Sequence, residues 1–254
     1  MNKLTSKIIT LILSIIMVLS MSVPTFAAEK IKVMSYADFL KGQEEGYIGY
    51  DVNYEDMVKL AEDSERFLEA LEKSEDFYLK YDLQAAKGDK SIPKLAKGDV
   101  VITNGTKVPD IPGHAGIAVN ADEIFSIDGK KCHPGSKSRE EFYNEYMKHL
   151  DSWIKVYSPT KAKWGKEAAQ WALDTYEDSG VPYSITTDVD DTSKTYCSKI
   201  VFQAYKFGAG RKAFESYYDP QTGEVNFYDY TRLIISPYDL PKALKIEETA
   251  KVKK

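Results

Sequence analysis

The sequence predicts an α+β fold, a small antiparallel sheet packed on helices on one side, preceded by a helical extension. Three observations predict it. Short β-branched or apolar runs at residues 99–102, 114–119, 124–127 and 153–157 are separated by glycine, proline and polar turns. Stretches with apolar residues at helical spacing flank them at residues 36–82, 163–176 and from Cys197 onward. A histidine at the start of one strand and a cysteine at the start of a late helix then give the two layers a shared chemical purpose.

Residues 1–27 read as a secretory leader. Lys3 and Lys7 open it, an apolar run over 8–18 follows, and Thr25 and Ala27 place small residues where a signal peptidase inspects the chain. The apolar stretch to Val23 is shorter than the roughly 20 residues of a spanning helix, so cleavage is expected, with export to the envelope or beyond and no stable membrane insertion afterwards. Losing the two leader lysines moves the formal net charge from −5 to −7. An acidic chain with no basic stripe argues against a nucleic-acid partner. The remaining length suits one domain. Its parts read as a helical segment over 28–96, a catalytic domain over 97–246 and a charged tail over 247–254.

Within the extension, Met57, Leu60, Ala61, Phe67, Leu68 and Leu71 recur at helical spacing, and Gly46 and Gly49 mark a loop between two short helices. Gly88, Pro93 and Gly98 break the chain before the first strand. Pro112-Gly113 starts the next strand at His114, and residues 124–127 return as a hairpin. Residues 163–176 carry Trp164, Ala168, Trp171 and Ala172 on one helical face, and residues 180–182 end that helix. After a polar, acidic loop comes the helix of Cys197, with Ile200, Val201, Ala204 and Tyr205 buried and Gly208 as its stop.

A cysteine at a helix start meets the partial positive charge of free N–H groups, and a neighbouring imidazole can take its proton. Together they can bring a thiol from about 8.5 to below neutrality. Cys197, with Ser193 or Thr195 as cap, is therefore the expected nucleophile and His114 its base. The rival readings are a buried structural cysteine and a Cys132–Cys197 disulfide. Cys132, His133 and His149 sit in polar contexts and look incidental. Three scattered histidines do not suggest zinc, and Asp188, Asp190 and Asp191 lack the glycine and glutamate of a calcium loop, so no metal or cofactor is expected.

GDVVITNG, GHAGIAV with a trailing IFSIDG, VPYSI, TYCSKIV and ISPYDL together resemble the permuted papain-like cysteine hydrolases, the NlpC-type enzymes with their YiiX/YebB-like group. The resemblance spans roughly residues 97–240. It implies Cys197 as nucleophile, His114 as general base, and Tyr196 and Tyr183 as residues beside the substrate. It also implies hydrolysis of an amide bond, often in cell-wall peptides, with lipid acyl transfer or hydrolysis as the alternative and a non-catalytic wall-binding module as a further rival. The partner expected is a peptide or peptidoglycan fragment; oligomeric state stays open. The family's imidazole-orienting position falls at Ser126. Strand alternation puts Ser126 and Asp128 on the face of His114, and a three-residue loop over 120–122 sets Asp128 directly opposite it. A carboxylate stabilises imidazolium better than a hydroxyl, which favours Asp128.

Overall fold

A computed structural model describes residues 31–73, 92–108, 111–149, 152–210, 217–218, 225–226, 234–244 and 246–253. The leader and the helical reading of residues 74–82 lie outside the described residues. Helix α1 (Tyr36–Glu44) starts at Ser35, whose hydroxyl accepts the Asp38 N–H. Helix α2 (Tyr54–Lys73) starts with a reciprocal pair, Asn53 and Asp56 each bonding the other's backbone N–H.

The sheet follows. Strands β1 (Val100–Thr103), β2 (His114–Ala118), β3 (Glu123–Ser126), β4 (Gly135–Ser138), β5 (Trp153–Pro159) and β8 (Ile246–Lys253) run in the order β4-β3-β2-β1-β5-β8. Every neighbouring pair is antiparallel. A short ribbon, β6 (Tyr217–Tyr218) with β7 (Val225–Asn226), stands apart. Helix α3 (Arg139–Tyr146) follows β4 through a capping box built by Ser138 and Glu141. Helices α4 (Ala162–Tyr176), α5 (Cys197–Gln203) and α6 (Leu240–Ala243) complete the layers.

Helices on one side was the expectation, and the structure corrects it. Ala115, Ile117, Phe125 and Ile127 face the core shared with α4 and α5. Ala118, Ile124, Ile154 and Val156 face a second core with Phe142 and Tyr146 of α3 and Ile92 and Leu95. β2 is buried at every position because both faces are covered. The charged tail is corrected too. Residues 246–253 are the edge strand β8, and Lys155 of β5 pairs with its Glu248 at 2.6 Å. Charges suit an edge strand because they discourage pairing with another chain.

The extension is part of this core rather than an appendage. Phe39, Ile48, Met57 and Leu60 join the cluster of α4 and α5. Tyr47 and Gly49 exchange backbone hydrogen bonds with Ile185, and Asp51 accepts the N–H of Thr187 at 2.7 Å.

α4 crosses the sheet at a glycine pair. Gly98 has φ +98, and a Cβ there would lie 2.1 Å from the Gly165 Cα. The carbonyl of Gly98 also accepts the Tyr205 hydroxyl at 2.6 Å. Gly98→Ala meets backbone on one side and a forbidden φ on the other, so it is expected to cost about 3 kcal/mol or more, read as a lower urea midpoint in equilibrium unfolding.

Candidate active site

Cys197 is the first residue of α5, and extended Tyr196 is its N-cap without a side-chain bond. Ser193 and Thr195 do not cap the helix as expected. The Ser193 hydroxyl donates to Asp191 at 2.9 Å and that of Thr195 to the Tyr196 carbonyl. Gly208 is not the stop either. The helix runs on as a π-turn through Ala204–Ala209, where Gly208 packs closely on α4 at Glu167 and Trp171, and Gly210 at φ +76 ends it.

The Cys197 sulfur accepts the backbone N–H of Ala115, the residue after His114. This bond joins the start of α5 to the start of β2. Both functional side chains are buried, Cys197 at 6% exposure and His114 at 3%. Cys132 and Cys197 are free thiols, so the disulfide reading does not hold.

Ser126 is the side-chain partner of the imidazole. Its Oγ lies 3.0 Å from His114 Nε2 and 2.6 Å from the Ala115 carbonyl. A hydroxyl has one proton, and the carbonyl can only accept it, so Ser126 receives the Nε2–H of His114. Nδ1 is left with the free lone pair, the form a general base needs. Gly116 makes the approach possible, since a Cβ there would come within 3.4 Å of the Ser126 Cβ and 2.5 Å of the Ile124 side chain.

Asp128 is a correction. Ile117 pairs with Phe125, the register that sets residue 128 across from 114, but β3 ends at Ser126. The Asp128 carboxylate turns to Lys107 at 2.8 Å and to Lys137, and it accepts the Tyr146 hydroxyl at 3.1 Å. Two ammonium groups hold a carboxylate more strongly than one neutral imidazole. Burial opposes its ionisation, yet those lysines keep it at about 2. Glu145 closes the ring of charge, 2.8 Å from Lys107 and bonded to Lys137. Tyr146 is the residue sequence reasoning missed. Its ring stacks on His114 at 4.5 Å and 14°, while its hydroxyl is tied to Asp128. One tyrosine among 18 carries no signal of that role.

Burial weighs against the expected ion pair. Burial pushes the Cys197 thiol up despite the N–H groups of Ala115 and Ser198. Burial also drives His114 down to about 3, with Asp128 opposing and Lys137 and Lys107 reinforcing the fall. Burial thus disfavours the thiolate and the imidazolium alike.

Tyr183 and Tyr196 both lie at the site. They line a narrow pocket at Cys197 together with Leu60, Ile185 and Ile235. The Tyr196 phenol is committed to structure, accepting the Ile235 N–H at 2.8 Å. His133 touches the Val181 carbonyl away from the site. Among the described residues no three or more His, Cys, Asp or Glu side chains converge as a metal site.

Cys197 at the start of α5, His114 at the start of β2 and Ser126 bonded to the imidazole stand in the chain order His–Ser–Cys. The family model described as lipoprotein N-acylation protein LnsA-like matches residues 80–245, and the chain belongs to that family. An uncharacterized 30.3 kDa protein of Bacillus thuringiensis is 32% identical over 126 residues, 46% of each chain, so the match spans about half of that relative. The crystal structure of the metalloprotein yiiX from Escherichia coli O157:H7 is similar at a TM-score of 0.45 and 14% identity, covering 64% of this chain and 99% of that one.

The buried imidazole makes stability depend on pH. Its folded pKa of about 3 lies below the ordinary histidine value of 6.5, so between those values the unfolded chain binds the extra proton. Stability from this group is complete above 6.5 and falls as pH drops toward 3. Unfolding in urea should show about 2 kcal/mol less stability at pH 5 than at pH 7 from His114. His114→Gln should flatten that slope, and an unchanged slope would place the charge elsewhere.

Proposed function

We propose that the chain is an envelope-facing thiol acyltransferase or acyl hydrolase, which moves a fatty acyl group from a lipid ester to an amine or to water through Cys197. The observation that carries this reading is the lining of the pocket at the thiol. Apart from Cys197, Tyr183 and Tyr196, the one polar side chain in the lining is Ser198, whose hydroxyl already donates to the Ile235 carbonyl at 2.6 Å. A peptide stem needs polar partners for its amides, whereas a hydrocarbon chain needs none. Membership of a family described by lipoprotein N-acylation supports the same choice. The acyl alternative is thus better supported than cleavage of cell-wall peptides. Among the described residues no helix is long and apolar enough to cross a membrane.

In this reading Sγ attacks the acyl carbonyl as its proton passes to Nδ1 of His114. Ser126 and the Ala115 carbonyl hold the ring in the tautomer that can accept it. The N–H groups of Ala115 and Ser198 already reach the sulfur, and they are the donors at hand for the developing oxyanion. The ester C–O bond breaks, and the alcohol leaves with the proton from Nδ1. An amine or water then attacks the thioester, gives its proton to His114, and Cys197 recovers it as the thiol leaves. No ion pair need exist beforehand, since the proton moves as the bond forms.

The test is to incubate the protein with phospholipid vesicles and, separately, with purified peptidoglycan. An intact-mass increase of one acyl chain on Cys197, removed by hydroxylamine, is expected from the vesicles. Cys197→Ala should abolish it and Cys132→Ala should leave it. Released wall peptides without an acyl adduct would favour the amidase reading instead, and neither product would favour the non-catalytic module.

A further inference from the structure

The family match begins at residue 80, but one wall of the thiol pocket is built upstream of it. Leu60 projects from α2 and is 7% exposed. One turn later Ser64 donates to the Leu60 carbonyl at 2.6 Å and lies 3.4 Å from the Ser236 hydroxyl. A further turn on, Phe67 stacks on Tyr238 at 5.1 Å and 7°. α2 is therefore fastened beside the segment that supplies Ile234, Ile235 and Pro237 to the pocket.

Two other wall residues are held through their backbone. Ile185 is held through its N–H by the Tyr47 carbonyl and through its carbonyl by the Gly49 N–H, and Ile235 by the Tyr196 hydroxyl. Leu60 instead projects from α2, which meets that wall through Ser64 at Ser236 and Phe67 at Tyr238. The pocket has room for about one water-sized sphere. A chain of several methylenes must displace something, and Leu60 is the wall residue that comes from upstream of the family-matched region. No charged residue lines the space, so a hydrocarbon tail is the occupant that fits.

We propose that Leu60, outside the family-matched region, gates the hydrocarbon chain admitted to Cys197 and sets its preferred length. The identity of the occupant as an acyl chain rests on the function proposed above. The gate itself is a statement about the pocket and can be read without any enzymatic turnover.

Alkyl methanethiosulfonates provide that reading. The Cys197 thiolate attacks the thiosulfonate sulfur, a disulfide forms and methanesulfinate leaves. Methyl, octyl and hexadecyl reagents are compared by mass on full-length Cys132→Ser protein, each rate divided by that of free glutathione. Octyl should exceed methyl by about tenfold, the gain of about two well-buried methylenes. Leu60→Ala should raise the hexadecyl-to-octyl ratio by about the same factor, and Leu60→Trp should bring octyl down to the methyl rate. Leu60→Val, a milder truncation, should move the ratio in the direction of Leu60→Ala and covers the case in which Ala unfolds α2. Rates independent of chain length, or ratios unmoved by the Leu60 variants that stay folded, would overturn the proposal. A chain-length preference without acyl transfer from vesicles would keep the gate and remove the acyltransferase reading.

Discussion

Both halves of the site hang on the peptide groups of one residue. The Ala115 N–H reaches the Cys197 sulfur, and the Ala115 carbonyl takes the Ser126 proton. The first bond ties α5 to β2; the second forces Ser126 to accept from His114 and so chooses the tautomer. Ala115 is fully buried against α5 on one face of the sheet, and His114 faces Phe142 and Tyr146 on the other. The strand start is thus a hinge point between two cores, and its geometry cannot drift without exposing one of them.

Burial sets the electrostatics that follow. Burial is the largest influence on both the thiol and the imidazole, and it opposes the charged form of each. Charge is kept one layer away instead. Lys107, Asp128, Lys137 and Glu145 form a partly exposed ring, and the Tyr146 ring that stacks on the imidazole donates its hydroxyl to Asp128. From there Asp128 favours imidazolium while the two lysines disfavour it. A buried lysine behaves in the same way near α5. Burial brings Lys199 down to about 8 against the pull of Asp191, Asp188 and Asp51, and its ammonium bonds the Thr186 hydroxyl and Lys194 carbonyl.

Local pattern made much of this legible. Alternation in GHAGIAV and IFSI gave the hairpin, its register and the faces of Ser126 and Ala115, and the start of an apolar helix gave Cys197. The choice of Asp128 over Ser126 failed because its competitors, Lys107 and Lys137, come from a loop and from another strand, so no local spacing announces them. The opposition of burial to the ion pair was hidden for a related reason. Dipole and partner effects can be read from sequence, but the depth of burial comes from α3 and α2 closing over the site. Tyr146 and Leu60 were invisible as functional residues, since each looks like an ordinary core position on its own helix.

The protonation state of His114 at rest tests this physical picture most directly. Nitrogen-15 NMR of protein labelled at histidine, recorded at pH 7 with His114→Gln to assign the signal, separates the three possible forms. A neutral ring protonated at Nε2, with an unprotonated Nδ1, is the expected result. An imidazolium signal at that pH, or a proton on Nδ1, would contradict it.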